Sequence, residues 1–205
     1  MNASSQIPIT SRSFPEAKEF LLREIVGPDY PVKHLIEQAR NKGHITRGKQ
    51  GRGGGNVTSR DMVVLLIGTL AGDTPQTASD AMTHLDGLQP HAKHLLHDQL
   101  NNFPLTGNWW ELSFVDAITQ FIDVARKDFH FDFDEMNVRV IREPMMYGRF
   151  EWNISPYERD DFLYYYLTDA DHACSSTKRH RTISASYSGR TLIRVADWLE
   201  DRLEH

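Results

Sequence analysis

The 205-residue chain contains a single cysteine and lacks any long apolar run. One thiol cannot form an internal disulfide, which excludes the disulfide-rich scaffolds of small secreted proteins. The longest apolar stretch, Met62–Gly68, has seven residues, whereas a membrane-spanning helix needs roughly 20. The first eight residues have neither a basic flank nor an apolar stretch. We therefore expect a cytoplasmic protein with no secretory signal and no membrane partner.

The overall composition is that of an ordinary globular protein, with 40% hydrophobic and 25% charged residues. These proportions exclude collagen-like and disordered chains. A chain of this length buries about 70% of its unfolded surface when it folds, so its core needs no metal or disulfide for stability. We therefore expect neither a structural metal nor a cofactor.

The charged residues are unevenly distributed, although the net charge is only −5. Residues 1–60 contain ten basic and five acidic side chains, a balance of +5, and the other 145 residues contain 13 and 23, a balance of −10. Seven of the basic residues fall within 33–60, where Glu37 is the only acid. This asymmetry predicts a polyanionic partner for the basic part. The alternative is a solvated surface that the acidic half neutralises within the folded molecule.

Apolar periodicity and capping residues predict only helices in residues 1–104. The first helix has a capping box at Ser13–Glu16 and ends at Gly27, and the second ends at Gly43. The third is almost wholly apolar, so we expect it at the centre of the N-terminal core. Five helices are predicted: one after Ser13, one from near Pro31, one after Thr58, one from Pro75 and one over about residues 91–101.

Beyond a helix capped by Ser113, the apolar period changes from 3.6 residues to about 2, which indicates strands. Turns rather than helices separate these strands, so they favour an antiparallel sheet. The predicted fold is α+β: a helical region (1–104) is followed by an α+β region (105–205) with about four strands flanked by helices. We leave 203–205 out of functional reasoning as a possible tag remnant. The predicted strands are Val138–Arg142, Tyr147–Ile154, Phe162–Leu167 and Thr182–Tyr187, with a last helix after Gly189.

The helix pair at residues 64–83 has the spacing of a helix-turn-helix. Small residues, Gly68 and Gly72, stand where the second helix must cross closely, and Ala78 and Ala81 stand where it must be anchored. Glutamine can pair with an adenine edge, and hydroxyl groups can bond base edges or phosphates. We expect the outer face of the second helix to present Gln76, Thr77, Ser79, Asp80 and Thr83.

A basic segment, residues 46–56, precedes this helix pair and contains five glycines and no apolar residue. We predict a mobile loop, because such a segment cannot bury a face. Its cations matter because residues 61–92 contain no Lys or Arg, whereas phosphate contacts supply most of the affinity for DNA. The alternative is an ordinary helical hairpin with a disordered basic loop. The candidate residues for binding double-stranded DNA are Arg47, Lys49, Arg52, Arg60, Gln76, Thr77, Ser79 and Thr83.

Two patterns that could indicate an enzyme are incomplete. Residues 48–55 are rich in glycine, but they lack the Gly-Lys-Ser/Thr sequence that opens a helix in a nucleotide-binding P-loop. No partner base or oxyanion donor can be named for a compact polar cluster, Asp169, Asp171, His172 and Cys174. We therefore expect no catalytic residues and a protein that is not an enzyme.

The cluster of Asp169, Asp171, His172 and Cys174 could bind a metal, as could histidines at 91, 94 and 97, with His84 nearby. Neighbouring members could share an ion, since residues three apart lie on one helix face. All three cannot converge, because six residues span about 600° of helical rotation. We interpret them as a solvated helix face and expect no metal site.

The C-terminal region has two predicted roles. It could form a homodimer, which would double the surface in contact with DNA. In the alternative function, the protein is an interaction module or inhibitor whose acidic surface occupies a basic groove of a host protein. Solubility alone also explains an acidic surface. The carboxylates concerned are Glu158, Asp160, Asp161, Asp169 and Asp171.

The segment Arg52–Ala71 runs Arg-Gly-Gly-Gly-Asn-Val-Thr-Ser-Arg-Asp before its apolar helix. It resembles a group of phage- and prophage-encoded bacterial proteins in which a basic glycine-rich loop leads into a Thr/Ser-Arg-Asp helix start. The similarity covers about residues 31–86. The resemblance implies a mobile-element protein that handles DNA or host machinery, and it carries over no catalytic residues.

Overall fold

The computed structural model describes residues 12–47, 56–90, 112–127, 136–143, 146–152, 161–166 and 183–203. Within these ranges the fold is α+β, as predicted, with N-terminal helices and a C-terminal antiparallel sheet. The helices are α1 (Phe14–Leu21, continued by a π-helical turn, Leu22–Val26), α2 (Val32–Asn41), α3 (Ser59–Ala71), α4 (Pro75–Asp86), α5 (Phe114–Arg126) and α6 (Gly189–Leu199). The strands are β1 (Gln89–Pro90), β2 (Met136–Glu143), β3 (Tyr147–Trp152), β4 (Asp161–Tyr166) and β5 (Ile183–Ser188).

Local sequence signals fix the ends of the helices. Capping boxes are present at Ser13 and Thr58, and Ser113 caps α5, all as predicted. Gly27 and Gly43 follow the first two helical segments with φ of 86° and 79°, a conformation that favours glycine. The helix predicted near residues 91–101 lies outside the described ranges.

The sheet has the order β1-β4-β3-β2-β5, and every neighbouring pair is antiparallel. The four predicted strands correspond to β2–β5, and β2 and β3 form the predicted hairpin. The sequence did not predict β1, because two residues are too few to show a period of 2. This strand comes from the N-terminal region and pairs with β4 through Pro90 and Tyr165.

Helix α3 lies at the centre of the core. Eleven of its 13 residues are buried, which confirms the position predicted from its apolar sequence. It packs against α4 and α5 and against strands β2 and β5. One cluster of buried apolar residues runs from Phe14 to Leu199 and joins both predicted regions. The boundary predicted near residue 104 therefore does not divide the core of the described chain.

Candidate nucleic-acid interface

Two glycines of α3 and the turn after it allow helices α3 and α4 to pack closely. A Cβ atom on Gly72 would lie 2.7 Å from the Cα of Ala78, and a Cβ on Gly68 would overlap Cε of Met82 in α4. A larger residue therefore cannot fit at Gly72 unless the backbone of α4 moves. These glycines occupy the positions at which the predicted helix pair required small residues. Helix α4 also packs on α2, so only one of its sides faces solvent.

The solvent side of α4 matches the prediction except at Ser79. The exposed residues are Gln76, Thr77, Asp80 and Thr83. The expected exposure of Ser79 is wrong, because its exposed fraction is 0%. At 100° of rotation per residue, Ser79 lies beside Ala78 on the face that packs against α2 and α3. Its hydroxyl has no hydrogen-bond partner within the described part of the chain and cannot reach DNA.

The chain that leaves α2 runs along this exposed side of α4. The ammonium of Lys42 forms an ion pair with the carboxylate of Asp80. Two residues later, Nε2 of His44 lies 3.2 Å from Oγ1 of Thr83. The chain from Lys42 to His44, which leads toward the basic segment, therefore lies on the same side of the molecule as the outer face of α4.

Asp80 stays ionised in the middle of this side. A hydrogen bond from Lys42 and a second from the amide of Gln76 hold the pKa of Asp80 below its ordinary value. The Gln76 amide donates to Oδ2 of Asp80 over 3.3 Å. Gln76, Asp80 and Lys42 consequently form one exposed polar row.

A buried carboxylate joins the two ends of the basic segment. Asp61 is 3% exposed, and its Oδ1 accepts a hydrogen bond of 2.7 Å from the backbone N–H of Thr46. Its Oδ2 accepts from the N–H and the hydroxyl of Thr58, at 2.9 and 2.8 Å. Thr46 and Thr58, which stand at either side of the segment, are therefore both held at the first turn of α3. The capping sequence predicted the Thr58 contacts, but nothing local in the sequence indicated the contact with Thr46.

The candidate cations differ in their surroundings. Arg47 follows Thr46 directly and is exposed. Arg60 donates to the carboxylates of Asp86 and Asp116, at 2.7 and 2.6 Å, and so bridges α3, α4 and α5. Its predicted contact with a phosphate would require both ion pairs to break. Lys49 and Arg52 lie outside the described ranges.

We call the exposed side shared by α4 and the end of α2 the α2–α4 surface. Thr77 belongs to it, but its hydroxyl is already used, since it donates to the carbonyl of Thr74 over 3.0 Å. The α2–α4 surface consists of Lys42, His44, Gln76, Thr77, Asp80 and Thr83.

Most of the other polar patterns fall outside the described ranges. These are the histidines at 91, 94 and 97, the polar cluster at 169–174, and all of the C-terminal acidic residues singled out above except Asp161. His84 lies within a helix, where its Nε2 is 2.9 Å from the carbonyl of Met146. Among the described residues, no three His, Cys, Asp or Glu side chains are placed to hold a metal ion.

Two further observations concern membrane-spanning helices and similarity to known proteins. No helix in the described part of the chain is long and apolar enough to cross a membrane. Comparison of the chain with protein-family models, curated proteins and solved structures finds no match.

Proposed function

We propose that this is a non-enzymatic DNA-binding protein of a phage or other mobile element. It binds double-stranded DNA through the α2–α4 surface and the basic segment that starts beside it. One observation supports the proposal: the contacts of Lys42 with Asp80 and of His44 with Thr83 hold the chain that leads into the basic segment against the outer face of α4.

The exposed row on α4 has the chemistry to read base edges. An α-helix fits the major groove, where glutamine recognises adenine and a carboxylate accepts from the amino group of cytosine. Gln76 and Asp80 lie one turn apart and bond each other in the free protein. On binding, that weak exposed bond and the ion pair of Asp80 with Lys42 are exchanged for bonds to two neighbouring base pairs. Thr83 extends the same row by one further turn.

The basic segment supplies the charge that α4 lacks. Each phosphate contact releases condensed counterions, so the affinity falls as the salt concentration rises. Arg47 is exposed and follows His44 of the α2–α4 surface by three residues, and Lys49 and Arg52 follow Arg47 within five residues. These cations contact the flanking phosphates while α4 lies in the groove.

Titration of a labelled mixed-sequence duplex, read by fluorescence anisotropy at about 50 and 200 mM salt, tests the proposal. We expect binding at the lower salt concentration and a steep loss at the higher one. Replacing Arg47, Lys49 and Arg52 together by alanine should reduce the salt slope by about three, because each phosphate contact contributes nearly one. Arg194→Ala, at an exposed residue of α6, is the matched control and should leave the slope unchanged.

Two results would reject the proposal. The first is no binding at low salt. The second is binding whose salt slope is the same in the triple variant as in the unmodified chain, since that would leave the basic segment without a role.

The reading of bases by α4 has its own test. Duplexes selected from a random pool by the unmodified chain should be bound less tightly by Gln76→Ala, by about 1 to 3 kcal/mol, with little change in salt slope. Ser79→Ala should bind like the unmodified chain, because Ser79 is buried. Equal binding by all three proteins would mean that α4 does not contact the bases.

The proposal includes a homodimer. One short helix reads only a few base pairs, and a two-fold pair of such helices doubles the contact with DNA.

A further inference from the structure

Asp80 is the one acid of the α2–α4 surface, and it binds two other members of that surface. The ammonium of Lys42, from the end of α2, pairs with its carboxylate. Both carboxylate oxygens accept from Nε2 of Gln76, at 3.4 and 3.3 Å. Helix α4 contains no Lys or Arg of its own. A single carboxylate therefore engages both the lysine and the glutamine that this surface offers to DNA.

Lys42 is held in place for this contact by the end of α2. Its backbone N–H donates to the carbonyl of Gln38 over 3.1 Å, and the N–H of His44 donates to the carbonyl of Ala39 over 2.9 Å. The side chain of Lys42 is 31% exposed, whereas that of Asp80 is 61% exposed. In the free protein the ammonium therefore lies against α4, and Asp80 neutralises its charge.

This arrangement opposes binding to DNA in general. A lysine that pairs with a carboxylate gives up that partner before it contacts a phosphate, and the carboxylate left behind repels the phosphates. The cost falls only where the DNA supplies a hydrogen-bond donor to Asp80. The amino group of cytosine in the major groove is such a donor. When it takes the place of Lys42 on the carboxylate, the ammonium is free to contact a phosphate.

We infer that Asp80 determines the sequence specificity of the α2–α4 surface: it withholds Lys42 from the phosphates of most duplexes and releases it where a cytosine meets α4. The inference rests on the proposed DNA binding and adds the regulation of that site. A protein rejects wrong partners through an unpaired charge as well as by attraction to the right partner. Here the same carboxylate does both.

Asp80→Ala tests both effects on DNA, since it frees Lys42 and removes the acceptor for cytosine. Alanine suits an exposed helix position, so the fold should accept it. In fluorescence anisotropy with a mixed-sequence duplex at about 50 mM salt, we expect about fivefold tighter binding, because a surface ion pair no longer opposes it. The salt slope should become steeper by nearly one, because Lys42 adds one phosphate contact.

Two double variants of equal charge show which lysine is released. Asp80→Ala with Lys42→Met should return to the salt slope of the unmodified chain, because methionine keeps the apolar stem of lysine but not its charge. Asp80→Ala with Lys33→Met should keep the steeper slope, since Lys33 is 74% exposed and pairs with Glu37 instead. If net charge alone governed binding, the two double variants would behave alike.

Base replacement in the DNA tests the specificity. Duplexes are first selected from a random pool by the unmodified chain. Each cytosine is then replaced in turn by thymine, with its paired base, which puts an acceptor where the amino group of cytosine was. One replacement should weaken binding of the unmodified chain about tenfold and leave binding of Asp80→Ala unchanged.

The contact between Lys42 and Asp80 can also be measured without DNA. Hydrogen bonds from Lys42 and Gln76 hold the pKa of Asp80 below its ordinary value, and the bond from Lys42 is the larger cause. In a pH titration of the Asp80 carboxyl carbon by NMR, Lys42→Met should therefore raise this pKa, whereas Lys33→Met should leave it unchanged.

Four results would overturn the inference. They are an unchanged salt slope in Asp80→Ala, equal slopes in the two double variants, a selected duplex in which every replaced cytosine affects both proteins alike, and an unchanged pKa of Asp80 in Lys42→Met. No binding of DNA by any of these proteins would reject the proposed function, and the inference with it. Binding without the expected differences would reject the inference alone.

Discussion

Replacement of Asp61 by alanine should destabilise the protein more than any change to an exposed acid. Its buried carboxylate accepts hydrogen bonds from the backbone of Thr46 and from the backbone and hydroxyl of Thr58. Alanine would leave both N–H groups without this acceptor. The two ends of the basic segment would also lose their common anchor at α3.

The size of the effect follows from these contacts. A hydrogen bond to a charged group contributes about 1.5 to 3 kcal/mol, and loss of a capping interaction costs about 1 kcal/mol. Removing the carboxylate also removes the cost of burying its charge, which offsets part of the loss. We expect a net fall of about 3 kcal/mol in the free energy of unfolding. For a chain of this size, that lowers the melting temperature by roughly 6 to 12 °C.

Urea unfolding followed by circular dichroism measures the global change, and amide hydrogen exchange measures the local one. The amides of Thr46 and Thr58 should lose protection together in Asp61→Ala. Asp73→Ala is the control, because Asp73 is 87% exposed and pairs with Arg142 at the surface, where such a pair contributes less than about 1 kcal/mol. Equal destabilisation by the two variants, or unchanged exchange at Thr46, would refute the anchoring role of Asp61.

Three further predictions concern packing and ionisation. Gly72→Ala should lower the free energy of unfolding by about 3 kcal/mol, because the new methyl group meets the backbone of α4. Gly68→Ala should lower it by only about 1 kcal/mol, because its methyl group meets the movable methyl of Met82. Comparable urea midpoints for the two variants would contradict this. Burial raises the pKa of Tyr187 to about 12, so this tyrosine ionises at lower pH in the unfolded chain than in the folded one. The free energy of unfolding should therefore fall by on the order of 2 to 3 kcal/mol from pH 10 to 12. Tyr187→Phe should flatten that pH profile. Ser79→Ala should raise stability by up to about 1 kcal/mol, since it removes a buried hydroxyl that has no partner, and a loss of stability would show that the hydroxyl is bonded.

The features that the sequence predicted correctly depend on near neighbours in the chain. Capping boxes, glycine stops and the change of period each involve residues within a few positions of one another. They located all of the helices α1–α6 and the four longer strands. The apolar surface of α3 also indicated its central place, because a helix without a polar side must be covered all round.

The errors and omissions come from contacts between distant parts of the chain. The exposure of Ser79 depends on where α2 packs, and no local pattern gives that position. The pairing of Arg60 with Asp86 and Asp116 joins residues 26 and 56 positions apart. A count of charges made Arg60 a candidate for phosphate contact, whereas the folded chain uses it between three helices. The contact of Asp61 with Thr46 was missed for the same reason.

The anchor at Asp61 also limits where the cations of the basic segment can go. Eleven residues separate Thr46 from Thr58, and both ends are bound to one carboxylate. An extended chain of that length must return to its start, so its tip reaches at most about 20 Å from Asp61. The proposed phosphate contacts therefore depend on position as well as on charge.

Asp61→Asn separates these two contributions to DNA binding. It removes one negative charge, which alone would strengthen attraction to the phosphates. It also weakens the anchor, because the amide N–H₂ can no longer accept bonds from the chain. If position matters as we propose, affinity for duplex DNA falls in the folded variant, with Asp73→Asn as the charge-matched control. An increase in affinity equal to that of the control would show that the segment acts only through its positive charge and not through the position at which Asp61 holds it.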